Sequence, residues 1–430
     1  MELELREHQL DVIDALRDGF KKGHRSQLLY APTGFGKTEV AIYLMKATAE
    51  KYNRAAIMMD RLVLVNQTSE RLLKYGLRHG VFQADHPFFQ PSERLQVCSA
   101  QTMEARANFP QTDLLIVDEC HVSRRKTINY IEANPEMRVI GLTATPFTKG
   151  LGDVYENVVT GATTGSLVEK KWLAPLKVFI AKEIDMTGAK KLAGEWSAAE
   201  AESRGMQITG DIVIEWEKKT HEIFGRPRKT IVFCAGVDHG AQLVEEFAQK
   251  GYNFVSISYK DSDELKEEAI KDFARPDTQI HGLIATDILT RGFDVPDVMI
   301  GVSARPFSKS LSSHVQQMGR VMRPYDGKDF AIWLDHSGNY LRFQDDWDEV
   351  YEIGVHKLDD KVEKAKKEPT EKEKKESKCP KCGFLWKNAD SCPSCGHVRE
   401  RRTLQNVAGE LTELVNSQTR AQRDERQQFY

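Results

Sequence analysis

The sequence predicts two tandem α/β domains built on parallel sheets, followed by a small cysteine-bound module. Three observations carry that expectation. Short apolar runs alternate with amphipathic stretches through the first ~165 residues, the same alternation resumes from about Pro175 to Phe343, and a cysteine quartet is confined to residues 379–395. At 430 residues the chain exceeds one ordinary domain and suits two or three. Hydrophobic residues at 40% support real cores, and 29% charged residues is ordinary for a soluble chain. No apolar run approaches the roughly 20 residues that span a bilayer. The opening MELELREHQL is charged from its start, unlike a secretory signal. A cytoplasmic protein without membrane contact is therefore expected. The net charge of −3 argues against a uniformly basic coat and leaves room for a local basic groove.

In the first domain, expected over residues 1–165, QLLYAP, AAIMM, LQVCSA, LLIVDE and VIGLTAT read as strands, each bounded by turn or polar residues. Between them, stretches such as KTEVAIYLMKATAEKY have helical character, which gives βαβ units on a parallel sheet. The second domain, expected over 166–345, repeats the pattern with KTIVFCA, NFVSISY, GLIATD, VMIGVSA and FAIWLDH. Thr187–Lys219 is polar and mixed, helical in character with no clear strands, and reads as an insertion or a helical preface. Residues 346–376 are expected as a charged linker. The run KVEKAKKEPTEKEKKESK, residues 361–378, lacks apolar periodicity and reads as a solvated segment, with a basic arm as the alternative. Residues 401–430 read as a polar helix or tail with a weak apolar stripe at Leu404, Val407, Leu411, Leu414 and Val415. Cys98, Cys120 and Cys234 stand alone in apolar segments and are expected simply to pack there.

The strongest local signal is APTGFGKT at residues 31–38, which has the spacing of a phosphate-binding loop with Ala31 at its first position. It follows a strand-like run and opens a helix, the context such a loop requires. Beyond Thr33, Gly34 and Gly36 let successive amides turn inward around phosphate oxygens. Lys37 supplies a point charge to the β- and γ-phosphates, and Thr38 offers its hydroxyl to Mg2+. The helix N-terminus adds its partial positive charge.

Asp118 and Glu119 end the buried run LLIVDE, which projects two carboxylates from the sheet edge where ligands of α/β folds bind. Asp118 is expected to hold Mg2+ through water, and Glu119 to orient and deprotonate an attacking water. His121 is expected to link this acid pair to the second domain.

Taken together, APTGFGKT, DECH, GLTATP and QQMGRVMR stand in the order used by superfamily-two helicases, and the resemblance runs from about Leu5 to Arg323. It implies two tandem RecA-like domains of the P-loop NTPase type, with a small C-terminal zinc ribbon as the third element. LREHQ resembles the adenine-reading motif, which places Gln9 at the base edge with Arg6 nearby. Thr143 and Thr145 of GLTATP take the role that couples hydrolysis to strand movement. ATDILTRGFDVP resembles the motif in which Gly292 and Asp294 approach the nucleotide and Thr286 the strand. QQMGRVMR resembles the arginine-finger motif, with Gln316 near the water and γ-phosphate and Arg320 and Arg323 on the developing charge. MDRLVLVNQT, with Arg61, and SAQTM, with Gln101 and Thr102, fall where family members hold strand phosphates. The runs SARPFSKSLSSHVQQMGRVMRP and LDHSGN are similar to RadD-type bacterial proteins, and UvsW-type branch-migration motors stand close behind.

CPKCGFLWKNADSCPSCG presents Cys379, Cys382, Cys392 and Cys395 as paired Cys-x2-Cys knuckles. Such a quartet in a reducing compartment reads as a closed, structural Zn2+ site, with disulfides or an iron–sulfur cluster as alternatives. Phe384 and Trp386 are expected to pack over the metal or to stack on bases.

The expected function is an ATPase dependent on ATP and Mg2+ that translocates on or remodels DNA, whether single-stranded, forked or branched, in repair, recombination or replication. The alternatives are an RNA helicase, which makes RNA the other candidate strand, and a nucleotide-gated recruitment protein. Single-strand-binding or repair and replication proteins are further candidate partners, in a bacterial cytosol or a phage-infected cell.

Overall fold

The computed structural model describes residues 3–358 except 84, 85, 107, 123, 182, 193, 287–292 and 294, together with 377–378 and 385–386. Within residues 3–358 the chain builds two lobes. Lobe 1 contains β1 (Ser26–Tyr30), β2 (Ala55–Met59), β3 (Gly80–Phe82), β4 (Leu95–Ser99), β5 (Leu114–Asp118), β6 (Arg138–Thr143) and β7 (Asn157–Thr160). Its helices are α1 (Glu7–Lys21), α2 (Lys37–Ala49), α3 (Leu62–Lys74), α4 (Ala100–Arg106), α5 (Arg125–Ala133) and α6 (Thr164–Glu169). The strands form one parallel sheet in the order β3-β4-β2-β5-β6-β1-β7.

Lobe 2 begins with β8 (Leu176–Ile180), then the short strands β9 (Lys191–Leu192) and β10 (Glu195–Trp196), and helices α7 (Ala198–Gly205) and α8 (Thr209–Phe224). It continues through β11 (Thr230–Cys234), α9 (Val237–Gln249), β12 (Phe254–Ser258), α10 (Asp263–Ala274), β13 (Gly282–Thr286) and β14 (Ile300–Ala304). It closes with α11 (Leu311–Val321), β15 (Ala331–Asp335), α12 (Asn339–Arg342) and α13 (Gln344–Glu352). The main sheet is parallel, in the order β12-β13-β11-β14-β15-β8.

The central strands are legible because they are buried on both faces and therefore read as apolar runs. AAIMM of β2 and TIVFC of β11 are buried at every position. Along β1 alternate residues feed opposite cores. Leu29 joins Val40, Ile57 and Ile116, while Leu28 and Tyr30 join Met58, Val117 and Val139. At the start of α6 and of α11 a side chain satisfies a free amide. Thr163 accepts from the Ser166 amide at 3.1 Å and Ser310 from the Ser313 amide at 3.4 Å, whereas α8 ends on Gly225 at φ +70°.

Several expectations change. Three strands, β3, β7 and β8, join the sheets beyond those named from the sequence. The Thr187–Lys219 stretch does contain strands. β9 and β10 pair antiparallel, held in place because Glu195 accepts from the Ser308 and Lys309 amides at 2.7 and 2.6 Å. Lobe 1 extends past residue 165, since Leu167 and Leu173 sit in its core. Residues 346–358 are not the start of a charged linker. Trp347 packs in the lobe 2 core, while Val350 and Leu358 pack in lobe 1 and Thr160 Oγ1 donates to Val355 O, so the chain returns across both lobes. Cys98, Cys120 and Cys234 are buried and free.

A second unit, residues 362–412, is described only at β16 (Ser377–Lys378) and β17 (Leu385–Trp386), which pair antiparallel. The charged run up to Glu376, the four quartet cysteines, Phe384 and the 401–430 stretch lie outside the described residues.

Candidate active site

Residues 31–38 carry the chain from β1 into α2. Gly34 and Gly36 both adopt φ +91°, a left-handed conformation that costs an L side chain about 1–2 kcal/mol. Gly36 immediately precedes α2, so the first amides of that helix open toward the loop. Lys37 Nζ donates to Ala31 O at 2.9 Å and Pro32 O at 3.4 Å. Burial pushes its ammonium below the usual lysine range. Glu119 and then Asp118 push it back up, while Arg320 and Arg323 push it down. Carboxylates from one lobe and guanidinium groups from the other thus act on a single ammonium. Thr38 is half-buried in the first turn of α2.

Asp118 is the last residue of β5, and Glu119 follows at φ +49°. A non-glycine residue held there costs about 1–3 kcal/mol, a strain that surrounding contacts must over-determine. His121 lies beside Glu119. Its Nδ1 lies 3.2 Å from Glu119 Oε2 and 2.9 Å from Thr143 Oγ1. Thr143 Oγ1 also accepts from the Thr145 amide at 2.9 Å, and Gln316 Nε2 donates to Thr145 Oγ1 at 3.3 Å. Glu119, His121, Thr143, Thr145 and Gln316 therefore form one line of contacts from the acid pair of lobe 1 to α11 of lobe 2.

Helix α11 brings the remaining groups. Gln316 and Arg320 are buried on it, and Arg320 Nη1 donates to Phe293 O at 2.7 Å. Gly319 lets the helix touch the phosphate loop, for a Cβ there would lie 2.6 Å from Thr33 Cβ. Arg323 reaches the same loop, with its Cδ 3.9 Å from where a Gly34 Cβ would stand.

Other expected residues fall less directly. Gln9 commits its amide to the loop: Nε2 donates to Phe35 O at 2.9 Å, and Oε1 accepts from the Arg6 amide at 2.9 Å. The Arg6 guanidinium lies over the Trp172 ring at 4.0 Å. Thr286 is buried, its hydroxyl bound to Gly236 O at 3.1 Å and beside Cys234 Sγ at 2.9 Å, so it faces inward rather than toward a strand. Arg61 is exposed at the N-terminus of α3; Gln101 is exposed and Thr102 half-buried on α4. Gly292 and Asp294 lie outside the described residues.

Two pairings near the site were not expected from the sequence. Trp172 belongs to no motif, and the ion pair of Arg124 with Asp60 joins the segment after the acid pair to the end of β2. Among the described residues no cluster of three or more His, Cys, Asp or Glu side chains could hold a metal on its own. A Mg2+ ion here would rely on Thr38, Asp118 and the oxygens of a bound phosphate. No described helix is long and apolar enough to cross a membrane.

Comparison with known proteins bears on the family and the fold. Residues 2–148 match the family described as type III restriction enzyme, res subunit, and residues 217–325 match the helicase conserved C-terminal domain. A 51.5 kDa protein of a Lactococcus phage is 26% identical over 406 residues, covering 91% of this chain and 82% of its own length. IRC3 of Saccharomyces cerevisiae, named as an ATP-dependent helicase, is 25% identical over 363 residues, covering 78% of this chain and 51% of IRC3. In fold, the chain is similar to a fragment named as an HsdR subunit of a type I restriction enzyme from Vibrio vulnificus. That likeness has a TM-score of 0.63 at 21% identity, covering 83% of this chain and 68% of the fragment.

Proposed function

We propose that the chain is a motor of the superfamily-two helicase type, a DNA-stimulated ATPase that moves along or remodels its strand. The observation that supports this best is the line of contacts from Glu119 through His121, Thr143 and Thr145 to Gln316 of lobe 2, beside the close approach of Gly319 to Thr33 in the phosphate loop.

Phosphoryl transfer spreads charge over the γ-phosphate oxygens, so catalysis is positioning and electrostatic stabilisation. Lys37, the loop amides and Thr38 hold the phosphates, and Arg6 with Trp172 flanks the base. Thr38 and Asp118 would hold Mg2+, which would supply neutralising charge to the phosphate oxygens. Glu119 orients a water and takes its proton as oxygen attacks the γ-phosphorus; the bond to the bridging oxygen breaks and ADP leaves. Arg320 and Arg323 stabilise the charge that develops, a contribution of ~10³–10⁵ in rate in related nucleotidases. Because the two guanidinium groups stand on lobe 2, turnover is conditional on lobe closure. The line from Glu119 to Gln316 gives closure a way to register at the acid pair.

Strand affinity would rest on phosphate contacts, which weaken with salt and carry no sequence readout. DNA is favoured over RNA because the match over lobe 1 is to a restriction-enzyme family. The deciding experiment compares ATP turnover with single-stranded DNA, forked DNA, four-way junctions and RNA. Stimulation by DNA supports the reading, and preference for forks or junctions narrows it to branch remodelling. Stimulation by RNA alone overturns the choice of strand, and no stimulation by any of them overturns the motor. The cysteine quartet is assigned to one structural Zn2+, tested by metal analysis of reduced protein, where absence of zinc would remove that assignment.

A further inference from the structure

Lys328 stands in the loop between α11 and β15 and is absent from every motif considered so far. It is buried, and its Nζ donates to three main-chain carbonyls: Pro296 O at 3.1 Å, Val298 O at 2.5 Å and Val321 O at 2.7 Å. An ammonium has three N–H donors, and here each has an acceptor. The acceptors come from two places. Val321 is the last residue of α11, while Pro296 and Val298 belong to the loop entering β14. That loop also supplies Phe293 O, the acceptor for Arg320 Nη1 at 2.7 Å. One ammonium therefore fixes α11 against the segment that braces the Arg320 side chain.

We infer that Lys328 is a positioning residue for ATP hydrolysis, holding α11 against Phe293, Pro296 and Val298 in the register that aims Arg320 and Arg323 at the nucleotide. This rests on the ATPase reading above and touches neither substrate nor reacting atoms.

The chemistry also gives the role a pH signature. Burial lowers the Lys328 pKa to about 7 from 10.5; Asp297 raises it and Arg323 lowers it further. Asp297 is itself paired with Lys229 at 2.7 Å, so the charged groups facing Lys328 are Asp297, Lys229 and Arg323. A neutral amine has two donors and a lone pair, and it leaves one of the three carbonyls without a partner. Register is therefore held best below pH about 7 and loosens above it. Stability runs the other way. A folded-state pKa below the unfolded one means that the unfolded chain binds more protons between the two values, so this residue's contribution to stability rises with pH across that window. Activity and stability move in opposite directions, which a merely structural lysine would not produce.

The test uses the full chain with its stimulating nucleic acid and follows turnover from pH 6 to 9. Lys328→Met should lower kcat by about 10- to 100-fold, the scale of misplacing a catalytic group by an ångström, with KM for ATP nearly unchanged. Lys328→Arg keeps charge and donors throughout, so the alkaline fall of the wild-type protein should vanish in it. Hydrogen exchange at residues 318–323, read below pH 7 without ATP, should be slow in the wild type and in Lys328→Arg and faster in Lys328→Met. An unchanged kcat in a folded Lys328→Met protein would overturn the inference. So would an alkaline limb shared by the wild type and Lys328→Arg, or exchange at 318–323 indifferent to the substitution. The exchange measurement needs no turnover, so it separates failure of this inference from failure of the ATPase reading. Should Lys328→Met not fold, the Lys328→Arg profile decides.

Discussion

Gly319→Ala offers a sharp test of the lobe contact, because it adds one methyl group where α11 meets the phosphate loop. The added Cβ would lie 2.6 Å from Thr33 Cβ and 3.0 Å from Thr33 Oγ1. Carbon atoms settle at roughly 3.5–4.0 Å, so loop and helix must part by about 1 Å. A misplacement of that size at a catalytic centre costs on the order of 100-fold in rate, about 2.7 kcal/mol of barrier. The helix itself gains, since alanine is better than glycine in a helix interior by roughly 0.5–1 kcal/mol. The expected result is a fall in kcat of about two orders of magnitude with thermal stability unchanged or higher. Steady-state phosphate release with a saturating strand, beside a melting curve, reads both quantities. Turnover within about threefold of wild type would show that this contact does not govern the arginines, and the closure argument would lose its geometric basis.

Three further outcomes are expected. Replacing Arg320 and Arg323 together by alanine should cut single-turnover hydrolysis by ~10³–10⁵ while nucleotide binding, followed with a fluorescent analogue, changes far less. Thr143→Val removes the hydroxyl shared by His121 and the Thr145 amide, leaving buried polar groups unmatched at about 1–3 kcal/mol. The melting temperature should fall, and so should the ratio of strand-stimulated to basal turnover; an unchanged ratio would disconnect Thr143 from coupling. His314 is buried beside Trp333, Tyr340 and Phe343, with neither ring nitrogen hydrogen-bonded among the described residues, and burial pushes its pKa from 6.5 down to about 3. The unfolded chain takes this proton below pH about 6.5 and the folded chain only near 3, so stability is lost as pH falls through that window. His314→Phe should recover about 2 kcal/mol more at pH 5 than at pH 8 in denaturant melts, and equal effects at both would refute the assignment.

What the sequence made legible is what is local. The phosphate loop is a short run whose spacing carries its own chemistry, and the central strands announce themselves as apolar runs because they are buried on both faces. Edge strands were harder. β3 is only three residues long, and β7 is mostly half-buried. The β9–β10 pair depends on Glu195 reaching amides at Ser308 and Lys309, more than a hundred positions away. Helix α13, QDDWDEVYE, looks like linker because its charges outnumber an apolar stripe that becomes meaningful only against two cores. Lys328 gave no signal at all, since its surroundings are main-chain carbonyls that no side-chain pattern encodes. Within the site, motif order supplied the candidates. The strain at Glu119 and the inward turn of Thr286 did not follow from it.

The return of α13 to lobe 1 changes what kind of motion lobe 2 can make. A body tethered by one flexible connection explores a volume, whereas one fastened at both its entrance and its exit can only swing about the axis joining them. Leu173 on the way in, and Val350 and Leu358 on the way out, supply those fastenings. The arginines then stay tethered within reach of the phosphate loop, and reopening never requires them to be found again. Free energy of nucleotide binding can go into turning the hinge rather than into gathering two bodies from solution.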